Sequence, residues 1–209
     1  MNWTEAGGFL ATSDGLRAPD LQFHAALGIS LDEGLTPATE SGISFGPYVA
    51  RPESRGSVNL RTAEPYSKPR IVHNFLTEER DRAASRDGVR MAMEIARQPA
   101  LAKHLSDPRA DAERGLLPID DSDSAIDDYL RRTTFAFWHP CGTCAIGEVT
   151  DPELRVHGLD NVRVADASVM PREITGNTNA TCIMIGERAA AFIQGRDAAG
   201  SRLQATTAP

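Results

Sequence analysis

The segment Phe137-Trp138-His139-Pro140-Cys141-Gly142-Thr143-Cys144 sets a histidine directly ahead of two cysteines in CxxC spacing. Three chemistries use such residues: a metal centre, a dithiol couple, or proton transfer by the imidazole. A structural zinc site needs four ligands, commonly a second CxxC or a spaced histidine pair. Elsewhere the chain offers only Cys182 and four scattered histidines. Covalent haem attachment puts the histidine after the second cysteine; here it precedes the first. A thioredoxin-like dithiol opens a helix inside a βαβ unit, which Pro140 and Gly142 do not suit. Proton transfer remains, since an imidazole titrating near neutrality takes a proton from a hydroxyl without a metal. A histidine beside Phe137 and Trp138 also fits a hydrogen-bonded core position, and only the downstream sequence separates these two readings.

That downstream block is VRVADASVMPREITGNTNATCIMIGERAA, residues 162 to 190. The two blocks together resemble the carboxyl-terminal part of the glucose–methanol–choline (GMC) family of FAD-dependent alcohol oxidoreductases. There, a His-Pro-x-Gly-Thr segment is followed by Val-x-Asp-(Ala/Gly)-Ser-x-x-Pro, and then by an Asn-Pro-Asn-like turn that opens a helix. Upstream, EAGGF, PDLQFH, RPESRGSV and RQPAL are similar to substrate-domain segments of the family. The resemblance runs from about Glu5 to Ile193.

The resemblance implies a role for particular residues. His139 would face the reactive edge of the flavin and take the hydroxyl proton of an alcohol whose carbon delivers hydride to flavin N5. Asn179, at the third position of the turn, would hold the substrate oxygen, with Asn177 the second candidate; helix capping is the structural reading of both. Thr178 stands where the family usually has proline, which leaves the preceding backbone freer. Asp166 and Ala167, ahead of Ser168, resemble the family's contact with FAD, although Asp and Ser also suit a plain turn. The helix opening at Asn177, Thr178 and Thr181 has no acidic residue in its first turn, so its N–H groups suit the negative charge of a reduced flavin. Cys141 replaces a residue that is often aliphatic, and Cys144 is common at its position. The CxxC spacing then reads as two small residues beside a functional histidine.

The elements that must position these residues follow from periodicity. Gly, Pro and Ser turn signals fill the first ~75 residues, between short runs of period two at Leu21–His24, Pro47–Ala50 and Ser57–Arg61. From Thr77 to Gln98 the apolar positions Val89, Ala92, Met93 and Ala96 have helical spacing, with Thr77 as the expected cap and Pro99 as the stop. A second helix is expected from Ser124, with Asp127 in a capping box and Arg131-Arg132 at its end. Asn161–Asp166 reads as a strand. A turn with Pro171 and Gly176 leads to a last helix from about Thr178, carrying Ile185, Ala189 and Phe192 on its buried stripe and Gly195 at its end.

A chain of 209 residues is long enough for one domain with a core, or for two small lobes. The net charge of −7 argues against a nucleic-acid surface, which needs a basic stripe. No apolar run approaches the ~20 residues of a membrane span, and MNWTEAGG lacks a signal-peptide core. Three cysteines are too few for a disulfide scaffold, so the chain reads as cytoplasmic.

FAD binding in the family also draws on an amino-terminal βαβ unit with GxGxxG, and the sequence contains no such motif. The expected architecture is therefore α+β: an antiparallel substrate-domain sheet flanked by helices, plus the returning carboxyl-terminal segment of an FAD-binding domain whose Rossmann-like half is absent. The expected divisions are 1–150 for a partial substrate-binding domain, 151–195 for the FAD-domain segment and 196–209 for a flexible tail. The expected cofactor is FAD and the expected substrate an alcohol. The expected partner is a separate amino-terminal FAD-binding chain, the alternative being a truncated, non-catalytic remnant. Without that partner, Val164, Ile183, Ile185 and Phe192 must find each other or face water.

Overall fold

The computed structural model describes residues 4–29, 37 and 40–195; the expected tail at 196–209 lies outside them. The fold is α+β, and the chain divides into two compact units between Phe137 and Trp138. Among the described residues, no helix is long and apolar enough to cross a membrane.

The first unit is built on an antiparallel sheet of β1 (Thr4–Leu10), β2 (Leu21–Leu27) and β3 (Ile43–Val49), with β2 central. β1 was not legible as a strand because TEAGGFL lacks alternation. Its Gly7 permits the pairing, since a Cβ there would lie 2.7 Å from the carbonyl oxygen of Phe23. Pro47 sits inside β3 without breaking it, because β3 is an edge strand. Leu21 and Phe23 alternate onto the face that packs against helix α1 (Glu79–Arg97), where Ala84 completes the cluster.

Gly88 lets α1 approach this closely, since a Cβ there would lie 2.5 Å from Pro47 Cβ. On the other side of α1, Val89 joins Ile126 and Leu130 of α4 (Asp123–Thr133). Arg86 and Asp127 bridge the two helices in a bidentate pair, Nε–Oδ1 and Nη2–Oδ2 both at 2.6 Å.

Several boundaries differ from expectation. Thr77 does not cap α1; its hydroxyl donates to the Asn74 carbonyl at 3.2 Å, and Glu78 occupies the cap position. Pro99 does end α1, and it also opens a four-residue helix, α2 (Pro99–Ala102), ahead of α3 (Pro108–Glu113). The cap of α4 is Ser122 rather than Ser124, accepting from the Ala125 amide at 3.3 Å. The expected capping box is not made, because the Asp127 carboxylate is taken by Arg86. β4 (Ser57–Asn59) pairs with β5 (Arg70–Val72) in a separate two-stranded ribbon.

The second unit holds a 3-10 turn (Ala167–Val169) and α5 (Asn179–Ile193) around a core of Leu154, Val169, Met170, Ile185 and Ala189. The strand expected at Asn161–Asp166 does not form. One antiparallel bridge, Arg155 with Arg163, replaces it: Val156 N donates to Val162 O at 3.0 Å and Val164 N to Leu154 O at 3.1 Å. α5 starts one residue after Thr178 and ends before Gly195, whose φ of 65° is the left-handed geometry expected of a helix-ending glycine.

Candidate functional site

The second unit carries all the candidate residues. Trp138, exposed and at φ 55°, leads into half-buried His139. The left-handed region disfavours a bulky side chain, so the chain ahead of the histidine is constrained. Gly142 follows at φ 90°, a turn open to glycine. The segment is then tied down by backbone: Cys144 N donates to Ser168 O and Ile146 N to Val169 O, each at 2.9 Å. Thr150, fully buried, adds a hydroxyl bond to the Cys144 carbonyl at 3.2 Å.

These bonds join the His139 segment to the Asp166 turn. Asp166 caps the 3-10 turn, its Oδ1 accepting from Ser168 N at 2.8 Å and from Ser168 Oγ at 2.5 Å. Ala167 packs against the unit's core, as does Cys141, two residues beyond His139. The same core seats α5 through Ile185 and Ala189.

At the start of α5, Thr178 is the cap residue; it is buried, and its side chain makes no capping hydrogen bond. The cap position thus falls to Thr178, between the two asparagines. Asn177 and Asn179 flank it, both exposed, and Thr181 is half-buried. The first helical bond runs from Cys182 N to Thr178 O at 2.9 Å. The amides of Asn179, Ala180 and Thr181 thus lie beyond the reach of any helical carbonyl, and no acidic side chain occupies the first turn. Such an end favours electron-rich oxygen or nitrogen. All three cysteines are free thiols.

The first unit holds an aromatic cluster that periodicity did not reveal. Tyr48 of β3 and Phe137 lie 4.5 Å apart between ring centroids, with His24 of β2 at 5.1 Å from Tyr48 and 5.3 Å from Phe137. The register signals it: His24 and Tyr48 stand near one another on paired strands, diagonal neighbours across the sheet. Burial pushes the Tyr48 phenol up to about 12, so it stays neutral and a donor at ordinary pH. A shallow groove of about 350 Å³ runs beside β1 and β2, with Gly8, Gln22 and His24 among its lining residues.

A family model described as GMC oxidoreductase matches residues 52–186, a span that includes every candidate residue named above in the second unit. The chain belongs to the GMC oxidoreductase family. This GMC chain is 40% identical over 202 residues to an oxygen-dependent choline dehydrogenase of Klebsiella pneumoniae (strain 342), covering 93% of itself and 35% of that protein. It is 37% identical over 205 residues to the oxygen-dependent choline dehydrogenase of Escherichia coli O45:K1 (strain S88 / ExPEC), covering 94% and 35%. It thus spans about a third of the length of these curated relatives. A formate oxidase from Aspergillus oryzae RIB40 superposes with a TM-score of 0.71 at 27% identity, over 86% of this chain and 32% of that one. Pyridoxine 4-oxidase from Mesorbium loti shares the fold, with a TM-score of 0.74 at 24% identity over 93% of this chain and 38% of that one.

Proposed function

We propose that this chain is the carboxyl-terminal, substrate-facing part of an FAD-dependent alcohol oxidoreductase and works joined to an amino-terminal FAD-binding chain. The observation that carries the reading is the family match over 52–186, which takes in His139, Asp166, Ala167, Asn177, Thr178, Asn179 and Thr181 together. Those residues lie in one compact unit. FAD modification is described for the Aspergillus formate oxidase, which supports a flavin as the group concerned.

The donor set of the second unit fits part of such a cofactor. The first-turn amides of α5, unopposed by any first-turn carboxylate, suit a carbonyl-rich ring that gains negative charge. Asp166 and Ala167 form the second contact of this reading. The pyrophosphate lacks its cradle, since no GxGxxG occurs. Bound FAD would supply the hydride acceptor. His139 then serves as the base for the alcohol hydroxyl proton, and the Asn179 amide donates to the same oxygen and fixes its direction. The names of the relatives make choline the first alcohol to test.

The experiment is a reconstitution. This chain alone, mixed with FAD and desalted, should lose the flavin. Co-expressed with an amino-terminal GMC FAD-binding chain, it should retain flavin absorption that choline bleaches under anaerobic conditions. Stoichiometric flavin on the isolated chain, or a joined pair with bound flavin that no alcohol bleaches, contradicts the proposal.

A further inference from the structure

Thr178 is an unfavourable residue for the place it holds. It is the cap residue of α5, at φ −77° and ψ −14°, and only 7% of it is exposed. Threonine is favoured at a helix cap when its side chain accepts from a first-turn amide, and that bond is not made. The backbone does not require threonine either, since φ −77° is ordinary right-handed geometry that even proline adopts. Among the described residues nothing else bonds the hydroxyl. Thr150 shows the usual arrangement in the same unit: fully buried, with its hydroxyl on the Cys144 carbonyl at 3.2 Å. A nearly buried hydroxyl without a partner destabilises the fold, so the local structure gives no reason for this one.

The position of the hydroxyl supplies a reason. Among the described residues no enclosed side-chain oxygen or nitrogen lacks a partner. The unpaired Thr178 hydroxyl is therefore a part of the residue that still reaches the surface, and it does so at the end of α5. There it joins the amides of Asn179, Ala180 and Thr181, which have no helical carbonyl to serve. No acidic side chain lies in the first turn to take these donors. A hydroxyl beside unopposed amides at a helix terminus suits an oxygen that carries or gains negative charge. A single carbonyl of a partner chain would use one of these donors, whereas a ring with adjacent electron-rich atoms uses several.

We propose that the Thr178 hydroxyl donates to an oxygen of the flavin's pyrimidine ring and sets how readily that flavin is reduced. This rests on the functional reading above, which drew on the backbone amides of α5; the side chain is a further donor. In that reaction the alcohol carbon gives up a hydride and its hydroxyl proton goes to His139. One negative charge is then left on the ring, and Thr178 holds an oxygen that shares it. A hydrogen bond to an anionic oxygen is stronger than one to a neutral oxygen, so the hydroxyl favours the reduced form.

Two measurements test this. In the full chain alone, Thr178→Val exchanges the hydroxyl for a methyl of the same shape, and the melting temperature should hold or rise. A fall would show that the hydroxyl serves the fold, and overturns the proposal. In a flavin-loaded pair with an amino-terminal GMC chain, Thr178→Val should lower the preference for reduced over oxidised flavin by about ten-fold. For a two-electron couple that is a drop of about 30 mV in reduction potential, and Thr178→Ser should keep the parent's value. Equal potentials in the parent and Thr178→Val, with flavin bound, overturn this inference and leave the functional reading standing. Weaker pairing of the two chains at an unchanged potential assigns the hydroxyl to the partner chain, and overturns it as well. A pair that binds no flavin overturns the functional reading, and this inference with it.

Discussion

The Cys144 amide donates to the Ser168 carbonyl at 2.9 Å, tying the segment that carries His139 to the turn capped by Asp166. The tie is made by backbone, so the two thiols are dispensable to it. Cys141→Ser and Cys144→Ser should leave the melting temperature within a few degrees and the turnover of a reconstituted enzyme nearly intact. A large loss of turnover in either, with the fold retained, would revive a thiol role.

The Arg86 guanidinium holds the Asp127 carboxyl below the usual carboxylate range through their hydrogen bonds. A carboxyl with a depressed folded pKa contributes stability above its unfolded value of ~3.9, and loses that contribution as pH falls through the folded value. Asp127→Ala should therefore cost about 1.5–3 kcal/mol near neutrality, the range for hydrogen bonds to charged groups. The difference from the parent should shrink on acidification below about pH 4. Urea unfolding at pH 7 and pH 3 provides the comparison, and an unchanged difference would remove the pair from the stability account.

Gly88 inverts the usual rule for helices. Glycine to alanine in an exposed helix interior gains roughly 1 kcal/mol, but here the new methyl meets Pro47 at 2.5 Å. Gly88→Ala should destabilise by about 1–3 kcal/mol, the range for overpacking. A rise in melting temperature would show that α1 is free to move off the sheet.

Of the four residues expected to need a partner, Ile185 is buried, and Val164 and Phe192 pack on the same core. Ile183 is 60% exposed, and Met184 and Ile193 extend the open face. A helix apolar on both sides is normally enclosed. The isolated chain should therefore associate through this face, and Ile183→Ser/Ile193→Ser should lower light scattering at high concentration without lowering helix content. Scattering unaffected by the pair would mean that this face does not drive association.

Period and punctuation carried much of the fold. The spacing of Val89, Ala92 and Met93 sufficed for α1, and Gly195 for the end of α5. Failures fall where long-range partners override local signals. Ser124 and Asp127 read as a capping box, but Arg86, distant in sequence, claims the carboxylate. Asn161–Asp166 alternates like a strand yet pairs with Leu154–Val156 through one bridge, Arg155 with Arg163. β1 is invisible to periodicity because its glycines serve a close backbone approach. In the site, residue types and order were legible from motif resemblance, whereas the backbone tie from Cys144 to Ser168 leaves no sequence signal. The aromatic cluster of His24, Tyr48 and Phe137 needs the β2–β3 register, which spacing alone does not provide.

The most direct test of the central claim is the rate of flavin reduction by alcohol in a reconstituted pair carrying His139→Ala. Anaerobic stopped-flow should show reduction slowed by about 10²–10⁴-fold, the cost of losing a general base, with flavin content unchanged. A rate close to the parent's, at equal flavin content, would remove His139 from the reaction.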